Sequence, residues 1–102
     1  MNIKTLGTES DGTRSIEIRC SEISYRALLR CIRRIPNAVV THAAHDPMND
    51  NVKASICYKD VVLMLETPFS DYVINCSSAS SAFDEFVSKL GDQKVKWWER
   101  MF

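Results

Sequence analysis

The chain has 102 residues, of which 45% are hydrophobic and 25% are charged. This composition is that of an ordinary globular domain, and it excludes a disordered chain, which has fewer hydrophobic residues and a larger net charge. Thirteen basic and thirteen acidic side chains cancel, so no global field draws the protein to nucleic acid or to an anionic membrane. The length predicts one domain, residues 1–102, with a core of its own.

The N-terminal region predicts a strand. Ile16, Ile18 and Cys20 alternate with polar residues, which is the period of a strand with one face in water. Ile3 and Leu6 suggest an earlier partner strand.

A strongly amphipathic helix is predicted over residues 22–34. Ser21 is a good N-cap, and Pro36 ends the run. Successive helical residues are rotated by about 100°, which separates an apolar arc from a basic arc. The apolar arc contains Tyr25, Leu28, Leu29, Cys31, Ile32 and Ile35, and the basic arc contains Arg26, Arg30, Arg33 and Arg34.

Four further strands follow as apolar runs broken by polar turns. They are Ala38 to His45, Val52 to Tyr58, Val61 to Thr67 and Tyr72 to Cys76. Lys59 and Asp60 predict a two-residue reversal. The run from Val61 to Leu65 is apolar on both faces, which predicts a central strand that is covered on its second side as well.

The last regular element is a second helix that ends at Gly91. Its apolar stripe has helical spacing and consists of Phe83, Phe86, Val87 and Leu90. Ser81 with Asp84 resembles a capping box, and Glu85 with Lys89 forms a favourable i, i+4 pair.

Together these elements predict an α+β fold with a single antiparallel sheet of about five strands and two helices packed on one face. The predicted order is β-α-β-β-β-β-α followed by a C-terminal aromatic tail. Short connections favour an antiparallel meander. The other face of such a sheet is then open, which makes it the leading candidate for a binding surface.

The sequence predicts no catalytic site, no metal site and no cofactor. His42 and His45 are the one cluster that resembles an acid–base or metal site, but the residues before them predict a strand, on which positions three apart face opposite sides. No further zinc ligands follow at the required spacing. A cysteine paired with either histidine stays as an alternative.

The four cysteines fall at apolar positions and predict buried free thiols at Cys20, Cys31, Cys57 and Cys76.

Three features predict a binding surface instead. Arg26, Arg30 and Arg33 present planar donors suited to carboxylates or phosphates, although such an arc is also simply a solvated helix face. Trp97 and Trp98 are adjacent and cannot both point into the core, so Trp97 is a candidate partner contact. The third feature is the polar loop from residue 46 to 51, with candidate contacts Asp46, Asn49 and Asp50.

Small size, zero net charge, the absence of a catalytic constellation and the terminal tryptophan pair give the chain a resemblance to the small immunity proteins with which bacteria neutralise cognate toxins. The resemblance is one of type, and it implies a non-catalytic protein-binding module that blocks a partner toxin. The alternatives are a homodimeric regulatory or structural domain, and a small enzyme or metal site at His42 and His45. Nucleic acid is the least favoured partner. The first residues contain no apolar signal segment, which predicts a cytoplasmic protein without a membrane partner.

Overall fold

Six strands and two helices make up the part of the chain that the computed structural model describes, which is residues 1–6, 14–46, 51–67, 71–76 and 81–96. In chain order they are β1 (Lys4–Thr5), β2 (Arg14–Ile18), α1 (Tyr25–Arg33), β3 (Ala38–Asp46), β4 (Asn51–Tyr58), β5 (Val61–Glu66), β6 (Tyr72–Cys76) and α2 (Ser81–Gly91). The predicted α+β class with an antiparallel sheet and two helices is confirmed. The additional strand is β1, which lies between Ile3 and Leu6, where an early partner strand was suggested.

The sheet has the strand order β1-β2-β6-β5-β4-β3, and every neighbouring pair is antiparallel. Strands β3 to β6 form the predicted meander. Strand β2 pairs with β6, so the β2-α1-β3 connection carries the chain from one side of the sheet to the opposite edge. The two edges differ greatly, because β1 has two residues and β3 has nine.

One face of the sheet carries the hydrophobic core and is called the helix-covered face below. Alternate residues of β4 are buried, and the residues between them are half-buried or exposed. The buried strand residues and both helices form one cluster. Its largest fully buried side chains are Tyr58, Phe86, Ile16, Ile18, Ile23, Leu28, Ile32, Ile56, Leu63, Leu65, Ile74 and Leu90. Each contributes roughly 1.5 to 3 kcal/mol by leaving water.

The opposite face, called the open face, is not covered at β5 by any described part of the chain, so the predicted second cover gains no support there. Leu63 and Leu65, on the helix-covered face, are fully buried, whereas on the open face Val62 is 55% exposed and Met64 is half-buried. β-branched residues favour a pleated strand whether or not both faces are covered. An apolar run alone therefore does not distinguish a central covered strand from a strand with one open face.

Helix α1 begins three residues later than predicted, and its N-cap is Ser24 rather than Ser21. Ser24 has extended backbone angles, and its hydroxyl accepts a hydrogen bond of 3.2 Å from the backbone N–H of Ala27. The preceding residues form a turn that is closed by a 3.1 Å bond from Glu22 N–H to the carbonyl of Arg19. Because both serines are good caps, the sequence alone does not choose between them.

All four cysteines are free thiols, as predicted, but they are not all buried. Cys31 and Cys76 are buried, and Cys57 is half-buried on the open face. Cys20 is exposed, which contradicts the prediction. The reason is that β2 ends at Ile18, so the alternation that buries Ile16 and Ile18 stops before it reaches Cys20.

Helix α2 carries the predicted apolar stripe and the predicted ion pair. Lys89 Nζ lies 3.1 Å from a carboxylate oxygen of Glu85. Asp84 forms an ion pair with Arg14 of β2. The predicted turn at Lys59 and Asp60 joins β4 to β5, and Lys59 adopts a positive φ of 55°.

Candidate functional site

The arginine face of α1, defined as Arg26, Arg30, Arg33 and Arg34, is exposed as the sequence predicts, while the other side of the helix is buried. Residues 25–34 hold four of the thirteen basic side chains and no acidic one. That leaves nine basic against thirteen acidic side chains, a net charge of −4, in the rest of the chain. Zero net charge therefore conceals a strong local concentration of positive charge on one helix.

Strand β3 forms a long edge of the sheet, called the β3 edge. It pairs with β4 on one side, and among the described residues no strand pairs with its other side. From Ala38 to His45 the sequence contains no Asp, Glu, Lys or Arg. Side chains at the centre of the strand are small or uncharged, and they are exposed; they are Thr41, His42, Ala43 and Ala44. A strand of this length that has one unpaired side in the described structure and is uncharged over its first eight residues is a template for pairing with another chain.

A bulge divides the β3 edge into two parts. Val40 lies opposite Ile56, and His42 lies opposite Ser55, which leaves Thr41 as the extra residue. The Thr41 hydroxyl donates a 3.2 Å hydrogen bond to the carbonyl of Ser55. Bulges protect natural edges by twisting them, but this one leaves the regular five-residue stretch from 42 to 46 with an open side.

An apolar patch lies on the open face beside this edge. It consists of Val39, Cys57 and Val62, which are cross-strand neighbours in one row. Val39 is 56% exposed and Val62 is 55% exposed, and they are the two exposed large hydrophobic side chains in the described part of the chain. Their adjacency concentrates the exposed apolar area at one corner of the sheet.

The remainder of the open face is more polar. Ser15 donates a hydrogen bond to Asn75 on the neighbouring strand. Farther along the sheet, Ser55 donates to the sulfur of Met64 over 3.4 Å. The sequence suggested the whole open face as a candidate binding surface. The part of that face that remains a candidate is the corner that adjoins β3.

Helix α1 runs alongside β3 in the opposite direction. At one end, the backbone N–H of Ala38 donates to the carbonyl of Ile35 over 3.1 Å. At the other end, the Tyr25 hydroxyl lies 3.5 Å from the carbonyl oxygen of Ala44. Burial raises the pKa of Tyr25, and the nearby charge of Arg33 opposes that rise. The helix that carries the arginine face therefore runs along β3.

The remaining predicted site residues are not brought together by the described structure. Asp46 is the last residue of β3, where its backbone pairs with Asn51. Asn49, Asp50 and Trp97, with the rest of the aromatic tail, lie outside the described residues.

The histidine alternative gains no support. His42 is exposed at a strand position, and His45 follows three residues later on the same strand. Cys57 lies opposite Val39 rather than opposite either histidine. Within the described residues, no group of three or more His, Cys, Asp or Glu side chains is arranged to hold a metal ion.

A charged cluster joins α2 to the β4–β5 hairpin. The buried ring of Tyr58 donates its hydroxyl to Glu85 over 2.8 Å, and Lys59 reaches the same carboxylate at 3.0 Å. Hydrogen bonds from Lys59, Tyr58 and Lys89, in decreasing order of effect, lower the pKa of Glu85 to about 2. Every polar atom in this cluster has a partner, which fits a structural role.

Comparison of the chain with protein-family models, curated proteins and solved structures gave no match. Within the described residues, neither helix has the length and apolar character needed to cross a membrane. The β3 edge, the apolar patch and the adjacent arginines therefore have to be interpreted from their own chemistry.

Proposed function

We propose that this protein is a non-catalytic protein-binding module that engages its partner through the β3 edge and the adjoining apolar patch. The observation that carries the proposal is the nine-residue edge strand, which is uncharged from Ala38 to His45 and unpaired on one side in the described structure. An exposed edge offers backbone donors and acceptors to an incoming strand, and nearby apolar side chains add buried area. Val39 and Val62 supply that area here.

The narrower form of the proposal is an immunity-type inhibitor. In this form a toxin binds the β3 edge, and the bound protein blocks the toxin's active site. Its support is the small size and zero net charge of the chain. If a toxin is encoded beside this gene, the purified protein is expected to abolish the toxin's activity at a one-to-one ratio. Activity that persists at excess inhibitor would remove the immunity form and leave the broader binding proposal standing.

A second candidate is a homodimer formed through the same edge. The specific observation in its favour is that an uncharged strand is compatible with an antiparallel copy of itself around a two-fold axis. Binding of a foreign partner and binding of a second copy would use the same surface. One crosslinking experiment at that surface therefore distinguishes the two hypotheses.

The test is site-specific photocrosslinking in the native host. A photoreactive amino acid is placed at Val39 or Val62, and the matched control carries it at Ser88, an exposed residue of α2. We expect one discrete adduct with a different protein from the two edge positions and none from Ser88. Adding Val62→Asp to the Val39 probe is expected to weaken that adduct while circular dichroism stays unchanged.

An adduct between two copies of the chain would establish the homodimer in place of the foreign partner. Equal labelling from Ser88, or no adduct from either edge position, would overturn both candidates.

A further inference from the structure

We propose that the partner segment on the β3 edge is an extended acidic strand, and that Arg26 and Arg33 select it by pairing with its carboxylates. This inference rests on the proposed function and adds the chemistry of the partner. The edge supplies hydrogen bonds that do not depend on sequence, whereas the arginines supply the preference for charge.

The position of α1 brings the two arginines beside the edge. Because α1 runs antiparallel to β3, Arg26 lies toward the Ala44 end of the strand and Arg33 toward the Ala38 end. Both arginines lie about 80° to 100° around the helix from Tyr25, the residue whose hydroxyl faces the carbonyl of Ala44. Among the four arginines they are therefore the two nearest to the Tyr25 side of the helix, because Arg30 lies about 140° and Arg34 about 180° around the helix from Tyr25.

The spacing predicts a motif in the partner. Arg33 follows Arg26 by seven positions, which is about 10.5 Å along the helix axis. On a strand, same-face residues are about 6.6 Å apart at i, i+2 and about 13 Å apart at i, i+4. Long arginine side chains span either difference, so two carboxylates two or four residues apart are expected to meet them.

Both arginines are available for an external partner. Arg26 and Arg33 are exposed, and neither has an ion pair within the described part of the chain. The helix itself has no acidic residue that would neutralise them. Guanidinium groups favour planar carboxylates through paired hydrogen bonds.

An acidic protein segment fits this surface better than a nucleic acid does. Nucleic-acid grooves combine basic residues with exposed aromatic rings for stacking. On α1, however, the aromatic residue beside the arginines is Tyr25, which is half-buried with its hydroxyl against backbone carbonyls. The β3 edge also offers a row of backbone amides and carbonyls, which another strand satisfies and a phosphate backbone does not.

The experiment is a titration of the isotopically labelled protein, followed through its amide and arginine side-chain resonances. The probe is an eight-residue peptide in which Glu alternates with Thr or Val. Three comparison probes are the same peptide with Lys in place of Glu, the acidic peptide with alternate backbone amides N-methylated, and a ten-nucleotide uridine RNA. The N-methylated peptide keeps its carboxylates but cannot complete a strand ladder.

We expect the acidic peptide to shift the amides of residues 42–46 and the side chains of Arg26 and Arg33, and to bind at least tenfold more tightly than the other three probes. The double variant R26E/R33E should lose at least tenfold in affinity. The matched control K4E/K94E makes the same change in net charge at exposed lysines away from β3, and it should change affinity less than threefold at 150 mM salt.

Binding of the RNA but not of the acidic peptide would overturn the inference in favour of nucleic acid. Equal loss of affinity in both double variants would overturn it in favour of general electrostatics. If R26E/R33E retains the cellular crosslink from Val39, the proposed protein-binding function stands and the acidic partner alone is refuted.

Discussion

Glu85 joins α2 to the β4–β5 hairpin through hydrogen bonds from Lys59 and Tyr58, and it also pairs with Lys89 on its own helix. Its pKa is lowered from 4.5 to about 2 in the fold. A carboxylate with a lowered folded-state pKa stabilises the protein fully above its unfolded-state pKa, and it loses that contribution as the pH falls toward the folded-state value. Glu85 therefore contributes above about pH 4.5, and its contribution is lost between there and about pH 2.

The corresponding prediction concerns Glu85→Gln. We expect this variant to be less stable than the wild type at pH 6, and the gap between their urea midpoints should close as the pH falls from 5 to about 2. Glu66→Gln is the matched control, because it removes the same charge from a carboxylate with no ion pair among the described residues. A gap that is constant with pH would show that Glu85 does not act through its charge.

The cap of α1 gives a second prediction at the same scale. Ser24→Ala should lower the free energy of unfolding by about 1 kcal/mol, because the Ala27 N–H loses its acceptor. Ser21→Ala, in the exposed turn before the helix, should stay within about 0.5 kcal/mol. Chemical denaturation of both variants checks this, and a larger loss at Ser21 would place the start of the helix where the sequence first suggested it.

At the scale of elements, the two faces of β5 lie in different environments, one in the core on the helix-covered face and the other toward the open face. Leu63→Ala should cost about 2 to 5 kcal/mol, because it leaves a cavity on the helix-covered face. Val62→Ala, one residue earlier on the open face, should cost less than about 0.5 kcal/mol. Equal large losses in the free energy of unfolding would mean that Val62 is covered in solution, for example by another copy of the chain.

Strands and helices with a clear hydrophobic periodicity were predictable from the sequence. What covers each face of those elements was not. The alternation in β4 and the stripe of α2 follow local rules, so their positions match the predicted ranges closely. The cover expected over Val62 depended on chain topology, which an apolar run does not encode. The bulge at Thr41 likewise results from the pairing of two strands rather than from a local pattern.

The candidate site was predictable only in part, for a similar reason. The arginine arc follows from helical spacing, so its exposure was predictable. The importance of β3 depends on its place at the end of the strand order, which short-range sequence patterns do not fix. The absence of charge between Ala38 and His45 favoured an interior strand instead, because natural edge strands commonly carry charges that block pairing with another chain.

At the scale of the whole molecule, charge and pairing capacity are both unevenly distributed. The +4 charge of residues 25–34 is balanced elsewhere in the chain, and the short β1 edge contrasts with the long β3 edge. In the described part of the chain, the positive charge is concentrated on α1, and α1 runs along β3, the long edge strand. This coincidence is the physical basis for expecting one dominant interaction surface there.

Amide exchange tests that expectation most directly. It is measured on the isotopically labelled protein in dilute buffer and again in extract of the native host. We expect the amides of residues 42–46 to be protected or broadened in the extract and those of α2 to be unchanged. Identical β3 exchange in the two media, or protection confined to α2, would contradict a binding surface on the β3 edge.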